Sequence, residues 1–133
     1  MTTHNTKIHI FDRSTDFKEF KAGDVIFNKG DDAKSMYVVI DGEVEIDVLD
    51  GLVEHVDKGG FFGEMALITD EPRSATVYAK TDCKIVPVDE RRFLFMLQET
   101  PGFSLLIMRV LVERLRRRNQ HVADLLKQIN KTI

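Results

Sequence analysis

Glu64 and Arg73 lie nine residues apart in the stretch 61–77, FFGEMALITDEPRSATV. Arg73 carries a planar, permanently charged fork that matches phosphate oxygens. Glu64 is an acceptor-only carboxylate and suits neutral hydroxyls such as those of a sugar. A cation for phosphate and an acceptor for a hydroxyl together indicate a nucleotide-binding site.

The residues between these two side chains predict a local structure that presents backbone N–H groups. A short helix-forming run at 65–67 follows Gly63, and a loop then leads to Arg73 between two apolar stretches. The exposed N–H groups and the positive end of such a helical turn suit an anion.

The runs 62–67 (FGEMAL) and 72–77 (PRSATV) resemble, in order and spacing, the phosphate-binding cassette of cyclic-nucleotide-binding domains. That family includes bacterial catabolite activators, the regulatory subunits of cyclic-AMP-dependent kinase and cyclic-nucleotide-gated channels. The resemblance extends from about residue 20 to about residue 119. It implies a jelly-roll-like β-roll followed by C-terminal helices, a mainly β fold with α, and a sensor in which ligand binding rearranges those helices.

The resemblance also implies a role for each cassette residue. Arg73 pairs with the cyclic phosphate, Ser74 donates its hydroxyl to the phosphate or the base, and Glu64 accepts the ribose 2′-hydroxyl. Gly63 allows close backbone approach. The backbone N–H groups that complete the cradle belong to Met65, Ala66 and Ala75. The alternative is that Glu64 and Arg73 only pair with each other, in a degenerate pocket of a dimerisation scaffold.

The identity of the nucleotide depends on weaker signals. A hydroxyl at Ser74 can contact the 2-amino group of a syn guanine in related domains, but it also occurs in bacterial activators that bind cyclic AMP. We expect cyclic AMP, with cyclic GMP as the alternative. Val53, Ile68 and Val77 are candidates for an apolar wall against the base, although core packing is the commoner fate of such residues.

Hydrophobic periodicity independently predicts a β-rich portion at about 17–88 within a single domain spanning 1–133. Short apolar runs are broken by turn residues, as is typical of a sandwich or barrel. The stretch 43–49 (EVEIDVL) alternates apolar and charged residues, and Asp50-Gly51 predicts a hairpin turn to a strand at 52–56.

The C-terminal portion, about 89–131, predicts two helices. Asp89 suits the N-cap of a helix that ends near Glu99, with Phe93, Leu94 and Leu97 facing inward. Pro101 interrupts it. The next helix, at about 102–129, carries apolar residues at alternating spacings of three and four. These seam positions are Leu105, Met108, Val112, Leu115, Asn119, Val122, Leu126 and Ile129.

Such a heptad seam with one Asn at an a position is typical of a parallel helix pair. We therefore expect a parallel homodimer through 102–129, as the resemblance to catabolite activators also implies. The alternative is a lone amphipathic helix packed on its own β-roll. Part of the stripe, namely Leu106, Val110 and Leu111, suits that packing instead.

Alignment with the catabolite activators implies that Arg118 and Asn119 face the purine. Small hydroxyl residues are usual at these positions, so this chain departs from the pattern. Arg118 could stack on a base and Asn119 could hydrogen-bond it. Alternatively, Arg118 is solvated and Asn119 pairs only with its copy in the dimer. Arg114 could reach Glu64 and hold it in place.

Composition excludes several functions. The chain of 133 residues has a net charge of −3, a single cysteine, no membrane-length apolar run and no signal peptide, so we expect a cytoplasmic domain. The sequence contains no acid–base or nucleophile constellation that would indicate an enzyme. It also lacks the HxH pattern that would indicate a metal centre. Direct DNA binding is not expected, because no helix-turn-helix follows the dimer helix. The chain then acts through an unidentified partner or is a fragment of a transcription regulator.

Overall fold

The computed structural model describes residues 6–49 and 51–132. This part of the chain contains eight strands and three helices. The strands are β1 (Lys18–Phe20), β2 (Val25–Phe27), β3 (Ser35–Asp41), β4 (Val44–Leu49), β5 (Leu52–Val56), β6 (Phe61–Phe62), β7 (Thr76–Ala79) and β8 (Cys83–Asp89). The helices are α1 (Met65–Thr69), α2 (Glu90–Glu99) and α3 (Pro101–Thr132).

The strands form two four-stranded sheets, in the orders β1-β8-β3-β6 and β2-β7-β4-β5. All of their pairings are antiparallel. The predicted β-roll followed by helices, the last of them long, is confirmed. Leu49 pairs with Leu52 as the predicted hairpin requires, while Asp50 of its turn lies outside the described residues.

Alternation along β3 separates two hydrophobic cores. Met36 and Val38 pack toward α2 and α3, whereas Val39 packs between the two sheets. Cys83 is buried in the inter-sheet core, and burial raises the pKa of its thiol above the usual value. The cysteine therefore serves as a small core residue in a strand.

Helix α2 begins as predicted, because the Asp89 carboxylate accepts a hydrogen bond from the Arg92 backbone N–H at 2.8 Å. Its buried face is formed by Phe93 and Met96. The prediction that Leu94 faces inward is wrong, since that side chain is 54% exposed. Positions 93, 96 and 97 share one face of a helix with 3.6 residues per turn, and position 94 points away from it.

Pro101 begins α3 rather than preceding it. The first helical position needs no backbone N–H and favours the fixed φ of proline. One face of α3 then joins the core through Phe103, Leu106 and Ile107, with Val110 and Leu111 partly buried beside them. This α3 packing on its own β-roll confirms the prediction for Leu106, Val110 and Leu111.

The predicted seam lies on another face of α3. Its apolar members are exposed by 42–58%, and they are Leu105, Met108, Val112, Leu115, Val122, Leu126 and Ile129. The long helix thus carries two apolar faces, one packed on the chain itself and one facing solvent.

No single helix of the described residues is both long and apolar enough to cross a membrane. Only α2 and Pro101–Lys131 taken together, bent by 112°, meet that test of length and composition.

Candidate functional site

A cavity lies between the inner face of the second sheet, α1 and the middle of α3. It encloses about 470 Å³ of empty space, including its open mouth, which is within the range of small-molecule sites. The residues that line it are Phe27, Ile46, Glu54, Gly63, Glu64, Met65, Ala66, Pro72, Arg73, Ser74, Ala75, Val77, Arg114 and Arg118.

The Arg73 side chain is buried and held in place by backbone carbonyls. Its Nη1 donates to Gly63 O at 3.0 Å and its Nη2 donates to Ser35 O at 2.7 Å. The guanidinium also lies over the Phe27 ring, with Cζ 4.0 Å from the centroid. Burial lowers the pKa of Arg73 from its usual value, although an arginine in a protein keeps its charge. Arg73 Nε is buried and has no hydrogen-bond partner among the described residues.

Gly63 is required where it stands for two reasons. Its φ of +79° lies in the left-handed region, which a side chain disfavours. A Cβ at this position would also lie 2.7 Å from Arg73 Nη1, which is too close for real atoms. The glycine therefore makes room for the arginine.

Glu64 is buried and is held by α3. Arg114 Nη1 donates to Glu64 Oε1 at 2.8 Å, and Arg114 Nη2 donates to the Phe61 carbonyl oxygen. This geometry confirms the prediction that Arg114 reaches Glu64. A carboxylate accepts several hydrogen bonds, so Glu64 retains capacity for a hydroxyl.

Glu54 on β5 is a cavity residue that the sequence analysis missed. It is only 5% exposed, and its Oε2 lies 3.7 Å from Arg114 Nε. Cross-strand pairing places Glu54 directly opposite Ile46, which in turn is opposite Val77. These three residues form one row across the sheet, and all of them line the cavity. The sequence did offer a signal for Glu54, because a charged residue at an inward-facing position of an alternating strand indicates a polar site.

The alternation of β5 also corrects the predicted apolar wall. Val77 lines the cavity, but Val53 is exposed by 36% and Ile68 by 52%, and neither lines it. Val53 lies on the outer face because Glu54 and Val56 occupy the inner one. Phe27 and Ile46 take the place of these two residues in the wall.

The cavity brings together eight of the nine predicted site residues, namely Gly63, Glu64, Met65, Ala66, Arg73, Ser74, Ala75 and Arg118. Asn119 is exposed on α3 and lies outside the cavity of the single chain. The residues that line the cavity include three arginines and two glutamates, so their net charge of +1 complements a singly charged anion. Within residues 6–49 and 51–132, no group of three or more His, Cys, Asp or Glu side chains could hold a metal ion.

Residues 17–100 match the cyclic nucleotide-binding domain family. This chain belongs to that family. The match covers the β-roll, the cassette and α2 but ends before α3, so Arg114 and Arg118 lie outside it.

Individual relatives agree with the family assignment. The chain is 36% identical over 87 residues to the cAMP-dependent protein kinase regulatory subunit of Colletotrichum orbiculare, covering 64% of this chain and 22% of that protein. It is similar to the Thermus thermophilus catabolite activator protein, with 27% identity, a TM-score of 0.69 and coverage of 84% and 54%.

It is also similar to the EAL enzyme Bd1971 in its cAMP-bound form, with 31% identity, a TM-score of 0.58 and coverage of 86% and 31%. The cGMP-bound form of Bd1971 matches with the same identity and TM-score, at coverage of 86% and 32%. The chain therefore spans between about a fifth and a half of the length of these proteins.

Proposed function

We propose that this domain is a regulatory sensor of a cyclic purine mononucleotide, with cyclic AMP as its ligand and cyclic GMP as the alternative. The observation that carries the proposal is the buried Arg73 Nε, which lacks a hydrogen-bond partner in the described structure. A buried donor on a cation is costly to leave unpaired, and a phosphate oxygen would satisfy it. The net charge of +1 among the lining residues matches one cyclic phosphate.

In this proposal each cassette residue has a separate role. Arg73 pairs with the phosphate, Ser74 adds its hydroxyl, and Glu64 accepts the ribose 2′-hydroxyl, which makes the site prefer ribonucleotides. Backbone N–H groups of Met65, Ala66 and Ala75 complete the cradle. The purine lies against Ile46 and Val77, within reach of Arg118. Asn119 contacts a purine only from the α3 of a second copy, because it lies outside the cavity of its own chain.

The choice of base is the finer part of the proposal. Bd1971 has been solved in both cAMP-bound and cGMP-bound forms, so likeness to this relative does not separate adenine from guanine. The Colletotrichum orbiculare relative is named for cAMP, which agrees with the expectation from the sequence.

The bond between Arg114 and Glu64 supplies a route from ligand to helix. Arg114 is on α3, and its partner Glu64 lies in the cassette immediately before α1. A ribose hydroxyl bound to Glu64 changes the environment of that carboxylate and therefore the free energy of this bond. Ligand binding shifts α3 to the extent that its affinity differs between the two helix arrangements.

We further propose that the output is regulatory rather than enzymatic. The exposed seam of α3 pairs with a second copy as a parallel homodimer, and Asn119 sets the register. The dimer acts in the cytoplasm, either through an unidentified downstream protein or as the sensor portion of a catabolite-activator-like regulator. Sedimentation equilibrium tests the dimer directly.

Isothermal titration with cyclic AMP and cyclic GMP tests the sensor. We expect saturation near one ligand per chain. Arg73→Ala removes a buried charge pair with the phosphate and should weaken binding by about 2–5 kcal/mol. Arg73→Lys keeps the charge but not the fork, so it should retain part of the affinity.

Arg92→Ala is the matched control, because Arg92 pairs with Asp16 on the surface and should leave binding unchanged. Absence of heat and of a thermal shift with both nucleotides would refute the sensor and support the dimerisation scaffold with a degenerate pocket.

A further inference from the structure

Two buried polar atoms face each other in the cavity without making a hydrogen bond. Glu54 Oε1 and Arg118 Nε are 4.0 Å apart, which is too long for a hydrogen bond. Each lacks a hydrogen-bond partner among the described residues. The Glu54 side chain is 4% exposed, so water offers its carboxylate little compensation.

The surrounding groups leave one acceptor and one donor available to a ligand. Glu54 Oε2 is already next to Arg114 Nε at 3.7 Å, so Oε1 is the oxygen that remains open. Arg118 can only donate and Glu54 can only accept. The pair is therefore complementary to a molecular edge on which one N–H lies beside one acceptor.

A purine packed on the second sheet would present its edge to Glu54 and Arg118. Val77 and Ile46 are apolar neighbours on the cavity floor, and Glu54 comes next in the same row. A flat base that packs on the two apolar side chains therefore presents its edge to the carboxylate. Arg118 approaches from α3, which also borders the cavity.

We infer that Glu54 is the residue that selects the base, by accepting a hydrogen bond from the 6-amino group of adenine while Arg118 donates to the adjacent ring nitrogen. This inference rests on the proposed function, since it requires a cyclic nucleotide in the cavity. Guanine presents two neighbouring donors, N1–H and the 2-amino group, and both carboxylate oxygens would be needed to accept them. Guanine and hypoxanthine also carry one N–H beside one acceptor, N1–H beside the 6-keto oxygen, but in the reverse order along the edge. In the orientation that suits adenine, their 6-keto oxygen would therefore oppose the Glu54 carboxylate and be repelled.

Titration of the whole chain with cyclic AMP, cyclic IMP and cyclic GMP tests the inference. Cyclic IMP differs from cyclic AMP at the purine edge, with a keto oxygen at position 6 and a proton on N1. We expect cyclic AMP to bind roughly 10- to 100-fold more tightly than cyclic IMP or cyclic GMP, as a good base-edge contact provides. Glu54→Gln should reduce this ratio to a few-fold, because its amide can donate to a 6-keto oxygen.

Glu45→Gln is the matched control. It makes the same charge change on the neighbouring strand β4, next to the inward-facing Ile46, and Glu45 does not line the cavity. It should keep the wild-type ratio. Thermal unfolding of both variants establishes that they are folded. If Glu54→Gln does not fold, the three-ligand comparison on the unaltered chain remains a test.

The outcomes separate the inference from the proposed function. Equal binding of the three nucleotides by the unaltered chain would overturn the role of Glu54 but leave the sensor intact, as would tighter binding of cyclic GMP. An equal loss for all ligands in Glu54→Gln would make Glu54 a positioning residue for Arg114 and also overturn the inference. Binding of none of them would refute the sensor itself.

Discussion

Arg73 and Arg114 are both buried arginines in the same cavity, but their surroundings give them different roles. Arg73 is held by two carbonyl oxygens and an aromatic ring, and no carboxylate of the described residues lies within 4.0 Å of it. Arg114 lies between two buried carboxylates, those of Glu54 and Glu64. Counter-charge, not burial, therefore distinguishes the arginine that we propose to bind an anion from the arginine that joins α3 to the β-roll.

The comparison also concerns distance along the chain. Arg73 contacts Gly63 ten residues away within the cassette and also Ser35 and Phe27 on two earlier strands, so all of these contacts lie within the β-roll. Arg114 contacts Glu64 and Phe61 from 50 and 53 residues away and joins α3 to the β-roll. In the proposed sensor, a ligand that binds to Arg73 meets a prearranged group, whereas Arg114 would transmit the change to α3.

Arg114→Ala should have the largest effect on stability. It leaves Glu64 buried without its cation and Glu54 with only Arg118 at 4.0 Å, and breaking a buried pair costs about 3–5 kcal/mol. Urea unfolding measures this loss in the free energy of unfolding. Arg116→Ala, at an exposed position of the same helix, should change it little.

A second substitution tests whether the instability of Arg114→Ala comes from unpaired buried carboxylates. Glu64→Gln added to Arg114→Ala removes one of the two stranded carboxylates and should restore part of the lost stability. If Arg114→Ala were no more destabilising than Arg116→Ala, the contrast between the two arginines would be incorrect.

Gly63→Ala should have an intermediate effect on stability, and it should also disturb the position of Arg73. The positive φ costs about 1–2 kcal/mol for a residue with a side chain. The added methyl would also collide with Arg73 Nη1, so affinity for the cyclic nucleotide should fall together with stability. Titration and thermal unfolding of the same samples measure both quantities.

Gly23→Ala is the control that separates strain from collision. Gly23 has a φ of +91°, but a Cβ there would meet no atom within 4 Å. It should lose stability by a similar amount and keep its affinity. Equal affinity in both glycine variants would contradict the proposed dependence of binding on the position of Arg73.

The same contrast explains what the sequence could predict. The cassette is contiguous, so order and spacing within 61–77 identified Gly63, Glu64, Arg73 and their neighbours, all of which line the cavity. The predicted hairpin already pairs β5 with β4, but Glu54 belongs to the pocket only because the cassette and α3 pack over this part of the sheet, and neither spacing nor local propensity encodes that packing. The wrong prediction that Val53 faces the base has a related origin. Side chains of a strand alternate between its two faces, so an error of one residue places a side chain on the opposite face.

The helices show the limit of periodicity in another way. The heptad pattern of α3 identified both of its apolar faces, because a helix repeats at a fixed angle over many residues. Helix α2 is only ten residues long, and there the predicted inward face included Leu94 in place of Met96, which lies two positions further along. The short strands β1 and β6 went unpredicted, because Lys18–Phe20 has only one apolar residue and Phe61–Phe62 is only two residues long.

Substitutions in the α3 seam should have the smallest effect on ligand affinity. They test whether one chain alone supplies every residue on the Arg114 side of the pocket. Leu115 is 58% exposed and belongs to the seam, so Leu115→Glu should convert the proposed homodimer to a monomer in sedimentation equilibrium. Gln120→Glu introduces the same charge outside the seam and should leave the dimer intact. Asn119→Leu should act in the opposite direction by strengthening the pairing while permitting other registers.

Because Glu54, Glu64, Arg73, Arg114 and Arg118 all line one chain's cavity, we expect the monomeric Leu115→Glu variant to bind cyclic AMP within about threefold of the unaltered protein. A loss as large as that of Arg73→Ala would instead mean that the α3 helix of the second copy completes the site. Asn119, exposed on its own chain, would then be the residue to substitute next. The pocket would thus depend on the dimer, and ligand binding and assembly would be thermodynamically coupled.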